Sequence, residues 1–223
     1  MAVVSGATSP PQRDAIWHNV LSHVSDGTSN AVVTPYYGYY VLTAMAQLDH
    51  RPEALAWMRQ YWGGMIAEGA TSFWEAYDPN WPKQDFHAYL EADNKKGYYT
   101  SLAHGWASGP AAWLMQQVLG IEPTGRGFAQ VTIRPDLAGL AWARGSEPTP
   151  RGLIRVDAKP DSVRITLPPD TIATVLLPFA PGSGAILQDG VEVSTAPDPT
   201  GTRSQLALST AGEHVFTLRK AVP

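Results

Sequence analysis

The run Glu68-Gly-Ala-Thr-Ser-Phe-Trp-Glu-Ala-Tyr-Asp78 sets carboxylates among large aromatic rings. Glu75 directly follows Trp74 and precedes Tyr77 and Asp78. An aromatic face beside a carboxylate suits a sugar. Pyranose C–H bonds lie on the ring while the carboxylate handles hydroxyls or a water. Partial desolvation can tune such a carboxylate as an acid or a base. The same residues also fit a plainer role, with Glu75 a salt-bridged glutamate in an aromatic-rich loop. A second cluster runs from Tyr98 to Pro110 and includes Ser101-Leu-Ala-His-Gly-Trp106. His104 and Trp106 stand just ahead of a helix started by Pro110. They read either as a ligand-facing helix entrance, with His104 donating or orienting, or as a histidine packing a helix end.

Other chemistries find less support. Asp85 with His87, and His50 beside Asp49, lack a third ligand at zinc-type spacing, so no metal is expected. No Gly-x-Ser-x-Gly elbow, phosphate loop or dinucleotide fingerprint occurs, and no cofactor is implied. The chain has no cysteine, which excludes disulfides, thiolate metal sites and cysteine nucleophiles. A net charge of −4 argues against nucleic acid as a partner. No apolar run is long enough to span a membrane, and Met1 to Pro10 lacks the basic and apolar regions of a Sec-type signal peptide. The compartment, cytoplasm or exterior, stays open.

The elements that must carry these residues fall into two parts. Seven of the eight tryptophans and all nine tyrosines precede residue 121, whereas twelve of the nineteen prolines follow residue 120. This places a boundary near Gly120-Ile121, giving domains 1–120 and 121–223. The first part reads as helical. Ile16, Trp17, Val20, Leu21 and Val24 share one face of a 3.6-residue period. Thr34-Pro35 and Pro52 open two further helices, the second weakened near its end by Gly63-Gly64. Pro110 opens another, with Trp113, Leu114 and Val118 on it and Gly120 as its cap. Residues 67–104 form a long, aromatic-rich connection of the kind that commonly carries function. The second part reads as β. Alternation around 131–133, 153–157, 163–167, 206–208 and 215–218, an apolar run at 175–179, and turn signals such as Asp189-Gly190 predict an antiparallel sandwich.

Three motifs in this order, Tyr36-Tyr-Gly-Tyr-Tyr40, Gly69-Ala-Thr-Ser-Phe-Trp-Glu75 and Ser101-Leu-Ala-His-Gly-Trp-Ala-Ser-Gly-Pro110, resemble the C-terminal part of bacterial α-L-rhamnosidases, glycoside hydrolase family seventy-eight. The resemblance implies an α+β chain of two domains: the end of an (α/α) six-hairpin toroid, then a β-sandwich. It implies inverting hydrolysis of a rhamnose-containing glycoside or polysaccharide, with Glu75 as general base and Trp74, His104 and Trp106 around the sugar. Inverting enzymes pair that base with a general acid about 6.5–9.5 Å away. The family's acid lies in an acidic motif far upstream, and only 74 residues precede Glu75 here. Asp14, Asp26, Asp49, Glu53 and Glu68 are the acidic residues in that stretch, and none stands in such a motif. The expectation is a C-terminal piece whose partner is the missing upstream part of the catalytic domain. A carbohydrate-binding fragment without catalysis, or a toroid glycosidase of another specificity, are the alternatives. A lyase fits poorly, because Lys83, Lys95 and Lys96 are the only basic residues in the loop after Glu75.

Overall fold

A computed structural model describes residues 1–25, 33–78, 89–90, 96–97 and 101–220, with backbone alone at 25, 89–90 and 96–97. Asp26, Trp81, Lys83, Asp85, Phe86, His87, Lys95, Tyr98 and Tyr99 lie outside the described residues. The chain divides into two compact units, Met1–Trp113 and Leu114–Pro223. The sequence expectation put the division seven residues later, at Gly120. It falls earlier because the last turn of the final helix packs with the second unit: Leu119 and Met115 lie against Gly145.

In the first unit, α1 (Pro10–Ile16) opens at Ser9, whose N–H donates to Gln12 Oε1 at 2.9 Å, with Pro10 at the first helical position. It continues through a π-helical turn, Trp17–Leu21, into α2 (Ser22–Ser25). Of the face expected here, Leu21 is buried and Val20 is exposed. α3 (Pro35–Gln47) and α4 (Arg51–Ala67) form an antiparallel-type pair joined by a short turn in which Asp49 takes φ 64°. Both helices start with proline in the first turn, as the sequence suggests. Gly63-Gly64 does not end α4, which runs through both to Ala67. Gly64 has a packing reason instead: a Cβ there would meet the Tyr77 hydroxyl. Likewise a Cβ on Gly38 would lie 2.5 Å from Trp62 Cη2, so this glycine lets the Trp62 ring reach α3. Two short strands, β1 (Tyr89–Leu90) and β2 (Lys96–Gly97), pair antiparallel. A 3₁₀ turn, Gly105–Ser108, leads into α5 (Gly109–Trp113), which continues as a π-helical turn, Leu114–Val118.

The core of this unit is aromatic. Trp57 and Trp62 pack edge to face at 5.3 Å, and Tyr61 meets Tyr77 the same way at 5.6 Å. Each such pair contributes about 0.5–1.5 kcal/mol beyond the area it buries. Burial holds the Tyr61 and Tyr77 phenols above their ordinary pKa, so both stay neutral.

The second unit holds two sheets. One runs, in spatial order, β10 (Val191–Glu192), β9 (Gly184–Gln188), β13 (Gly212–Lys220), β7 (Ser162–Leu167), β6 (Gly152–Lys159) and β5 (Ala143–Thr149). The other runs β11 (Ala196–Pro197), β12 (Ser204–Leu208), β8 (Ile172–Leu177), β4 (Gln130–Ile133) and β3 (Ile121–Pro123). The alternation read from sequence buries Ile154 and Val156, then Val163, Ile165 and Leu167, with Phe216 fully enclosed. One pairing departs from the antiparallel expectation: β4 and β8 are parallel, with Val131 opposite Ala173. Strands β5 to β7, which belong to the other sheet, form the crossover that parallel pairing requires. Asp189 (φ 52°) and Gly190 (φ 84°) make the two-residue hairpin turn between β9 and β10. Among the described residues, no helix is long and apolar enough to cross a membrane.

Candidate carbohydrate site

The two motifs singled out in the sequence lie side by side. Glu75 N–H donates to Ser101 O at 2.9 Å, and His104 N–H donates to Phe73 O at 2.9 Å. Ser72 Oγ donates to Leu102 O at 2.5 Å. Residues 72–75 and 101–104 thus form a short two-stranded ladder with twenty-five residues between Glu75 and Ser101. This pairing brings the two motifs together along their backbones.

The ladder also orients the carboxylate. Ser101 N–H donates to Glu75 Oε2 at 3.0 Å. The side chain is exposed, and among the described residues no donor engages Oε1. One oxygen is therefore held, and among the described residues the other is left for a water or a sugar hydroxyl, the arrangement a general base needs. The salt bridge considered for Glu75 in a plainer role does not occur among the described residues.

His104 sits at the entrance to the Gly105–Ser108 turn, half-buried, its ring 5.9 Å from that of Trp106 at 76°. The turn is pinned to α4, because the buried Trp62 indole N–H donates to Ala107 O at 2.9 Å. It is also pressed on α3, since a Cβ on Gly109 would lie 2.6 Å from Tyr39 Cβ. Trp106 itself is 70% exposed, and its ring lies 5.1 Å from that of Tyr36. A shallow groove of about 240 Å³ runs here, lined by Tyr36, Tyr39, Tyr40, Trp106 and Ser108. Neither Glu75 nor His104 lines it. The hydrogen bond between Tyr36 and Tyr40, together with the electrostatic influence of the neighbouring hydroxyl, holds the Tyr36 pKa above its ordinary value, so Tyr36 remains neutral.

Trp74 departs from the sequence expectation. It is 3% exposed and packs 6.1 Å from Tyr77, so it presents no open face to a sugar. Its burial, with that of Tyr77, anchors the segment on either side of Glu75. Ser101 and Tyr36 belong to motifs noted in the sequence, yet nothing there marked Ser101 as the donor that holds Glu75. The signal for Tyr36 was the spacing of Tyr36 and Tyr40, one helical turn apart. Among the described residues, no group of three or more His, Asp or Glu is placed to hold a metal ion.

Residues 120–192 match the family model described as the bacterial alpha-L-rhamnosidase C-terminal domain. Three solved structures show the same fold over most of the chain. The alpha-L-rhamnosidase from Dictyoglumus thermophilum matches with a TM-score of 0.67 at 17% identity, over 83% of this chain and 21% of that one. The Streptomyces avermitilis alpha-L-rhamnosidase, solved with L-rhamnose, gives 0.63 at 22% identity over 82% and 17%. The family seventy-eight rhamnosidase of Bacillus sp. GL1 gives 0.56 at 21% identity over 79% and 18%. The chain thus spans about a fifth of the length of these structures. A comparison with curated proteins finds no match. The chain is similar in fold over most of its length to α-L-rhamnosidase structures, and its residues 120–192 match the model of that family's C-terminal domain.

Proposed function

We propose that the chain contributes the general base and part of the sugar pocket to an inverting α-L-rhamnosidase. The observation that carries this reading is the ladder that joins Glu75 to the Ser101–Trp106 segment and leaves one carboxylate oxygen open. In the reaction, Glu75 removes a proton from a water. That water attacks the anomeric carbon from the face opposite the glycosidic bond, and an acid protonates the departing oxygen. Ser101 N–H holds the base, His104 hydrogen-bonds the sugar, and Trp106 with Tyr36 supplies a ring surface for its C–H bonds. Trp74 supports from behind. Removal of such a base costs about 10²–10⁴ in rate.

The general acid, in this reading, belongs to catalytic-domain sequence beyond these residues. Exposed Val20, Tyr36, Tyr37, Ile66, Leu102 and Trp106 on the helical unit support the same view, since further toroid helices would cover part of that surface. The first unit is then the end of a six-hairpin toroid. The openness of the Trp106 groove also favours a second reading, in which the chain holds a sugar without hydrolysing it.

Titration with L-rhamnose, followed by calorimetry in the wild type and in variants and by the NMR shift of the Trp106 indole in the wild type, tests the sugar site. The expected result is saturable binding that Trp106→Ala abolishes and that L-fucose does not reproduce. Absence of binding, or equal binding of both sugars, refutes the assignment.

A further inference from the structure

The outer face of the six-stranded sheet carries a separate groove of about 650 Å³, lined by residues of β5, β6, β7 and β13. Strand register arranges its side chains. One row runs Arg144, Asp157, Arg164 across β5, β6 and β7. The next row, two residues along, runs Ser146, Arg155, Thr166 and on to Glu213 of β13. The alternate residues of β6 and β7, Ile154, Val156, Val163 and Ile165, are buried, so the charged set stands on the outward face.

Three guanidinium groups thus meet two carboxylates. Arg164 is committed to Glu213. Among the described residues, neither Arg144 nor Arg155 has an ion-pair partner. Arg155 is a diagonal neighbour of both other arginines across the strands, within reach of long side chains. Asp157, opposite Arg144 and Arg164, and Glu213 offset part of the repulsion among the three arginines, and a further anion beside Arg144 and Arg155 would relieve the rest. At one end, Arg144 lies 6.0 Å from the ring centroid of Trp142, which is itself 59% exposed. This is the only tryptophan of the second unit. The groove therefore offers two guanidinium forks without an ion-pair partner among the described residues and two hydroxyls, with the Trp142 ring beside it against Arg144.

We propose that this groove is a second carbohydrate site, taking a saccharide that bears a carboxylate, of the uronate type. Arg144 and Arg155 grip the carboxylate, since the guanidinium fork matches its two oxygens. Trp142 receives a neighbouring pyranose ring. Nucleic acid fits less well: the chain carries net charge −4, and the groove has only one positive charge in excess. The expectation that the ligand is a glycan rests on the proposed function, whereas the arginine arrangement does not involve Glu75.

The test is calorimetric titration of the full chain with trigalacturonate, with galactotriose and inorganic sulfate as comparators. The expected result is saturable trigalacturonate binding that weakens at higher salt. It is retained in Glu75→Gln and weakened about tenfold or more in Arg155→Ala and in Trp142→Ala, each folded by circular dichroism. Galactotriose does not bind. The proposal is overturned by no saturable binding, by equal binding of galactotriose, or by binding indifferent to both variants. Sulfate competing as well as the saccharide also overturns it, leaving an adventitious ion only. Loss of L-rhamnose binding at Trp106 would leave all of these results standing, so the two sites fail separately.

Discussion

Gly63 and Gly64 are adjacent in α4, yet alanine at the two positions should act in opposite directions. Both lie inside the helix, so both gain the same intrinsic term, about 0.8–1.0 kcal/mol in favour of alanine. The space around them differs. A Cβ on Gly63 finds its nearest neighbour at 4.0 Å, an ordinary contact. A Cβ on Gly64 would lie 2.7 Å from Tyr77 Cζ, with the hydroxyl nearer still. Tyr77 is 6% exposed and wedged against Tyr61 and Trp74, so its ring has little room to retreat. Overpacking of this kind costs about 1–3 kcal/mol, which exceeds the helical gain. Gly63→Ala should therefore stabilise the helical unit by close to 1 kcal/mol, and Gly64→Ala should destabilise it by up to about 2 kcal/mol. Urea unfolding followed by tryptophan fluorescence reads this unit, because most of the tryptophans lie in it. Gly64→Ala should also shift the Glu75 amide resonance, since Tyr77 is two residues away. Stabilisation by both substitutions would refute the placement of Tyr77 against α4, and with it the anchoring of the Glu75 segment.

Three further outcomes follow from the same geometry. Trp62→Phe leaves Ala107 O without its buried donor and should cost about 1–3 kcal/mol in urea unfolding, while also weakening L-rhamnose binding through the loosened Trp106 turn. Gly190→Ala forces a side chain into a turn at φ 84° and should destabilise the sandwich by about 1–2 kcal/mol, read as a lower thermal midpoint of the far-ultraviolet strand signal. Burial opposes ionisation of Asp198, but the N–H of Arg203, the Thr200 hydroxyl and the N–H of Thr202 outweigh it and hold the carboxyl below its ordinary 3.8. The stability that this carboxylate contributes is therefore fully present above the unfolded pKa and lost as pH falls through the lowered folded value. An acid titration of Asp198→Ala should show a shallower loss of sandwich stability in that window than the wild type.

The strands with clean alternation were legible because period two is strong where one face is buried. β6 and β7 show it in Ile154, Val156, Val163 and Ile165. β5 was not legible. Its Ala-Arg-Gly-Ser-Glu-Pro-Thr run lacks an apolar face, and it contains Pro148, which only an edge strand tolerates. The helix starts were legible from their prolines, because proline suits the first turn. The continuation of α4 past Gly63-Gly64 was legible from its apolar positions, whereas the reason for Gly64 was not, since it is a ring contributed from thirteen residues further on. The same limit governs the site. Residue types marked Glu75, His104 and Trp106, but the pairing that joins them is a long-range backbone ladder. Trp74 looked like a sugar platform from its neighbours alone, and its burial follows from packing that no local pattern reports.

The role of Glu75 can be measured without the general acid. Hydrolysis of α-L-rhamnosyl fluoride needs no proton on its leaving group, so a base held in place suffices. The account predicts slow turnover by this chain with release of the inverted anomer, a loss of about 10²-fold or more in Glu75→Gln, and no turnover of an aryl α-L-rhamnoside. Equal fluoride hydrolysis by the wild type and Glu75→Gln, or release of rhamnose with retained configuration, would contradict it.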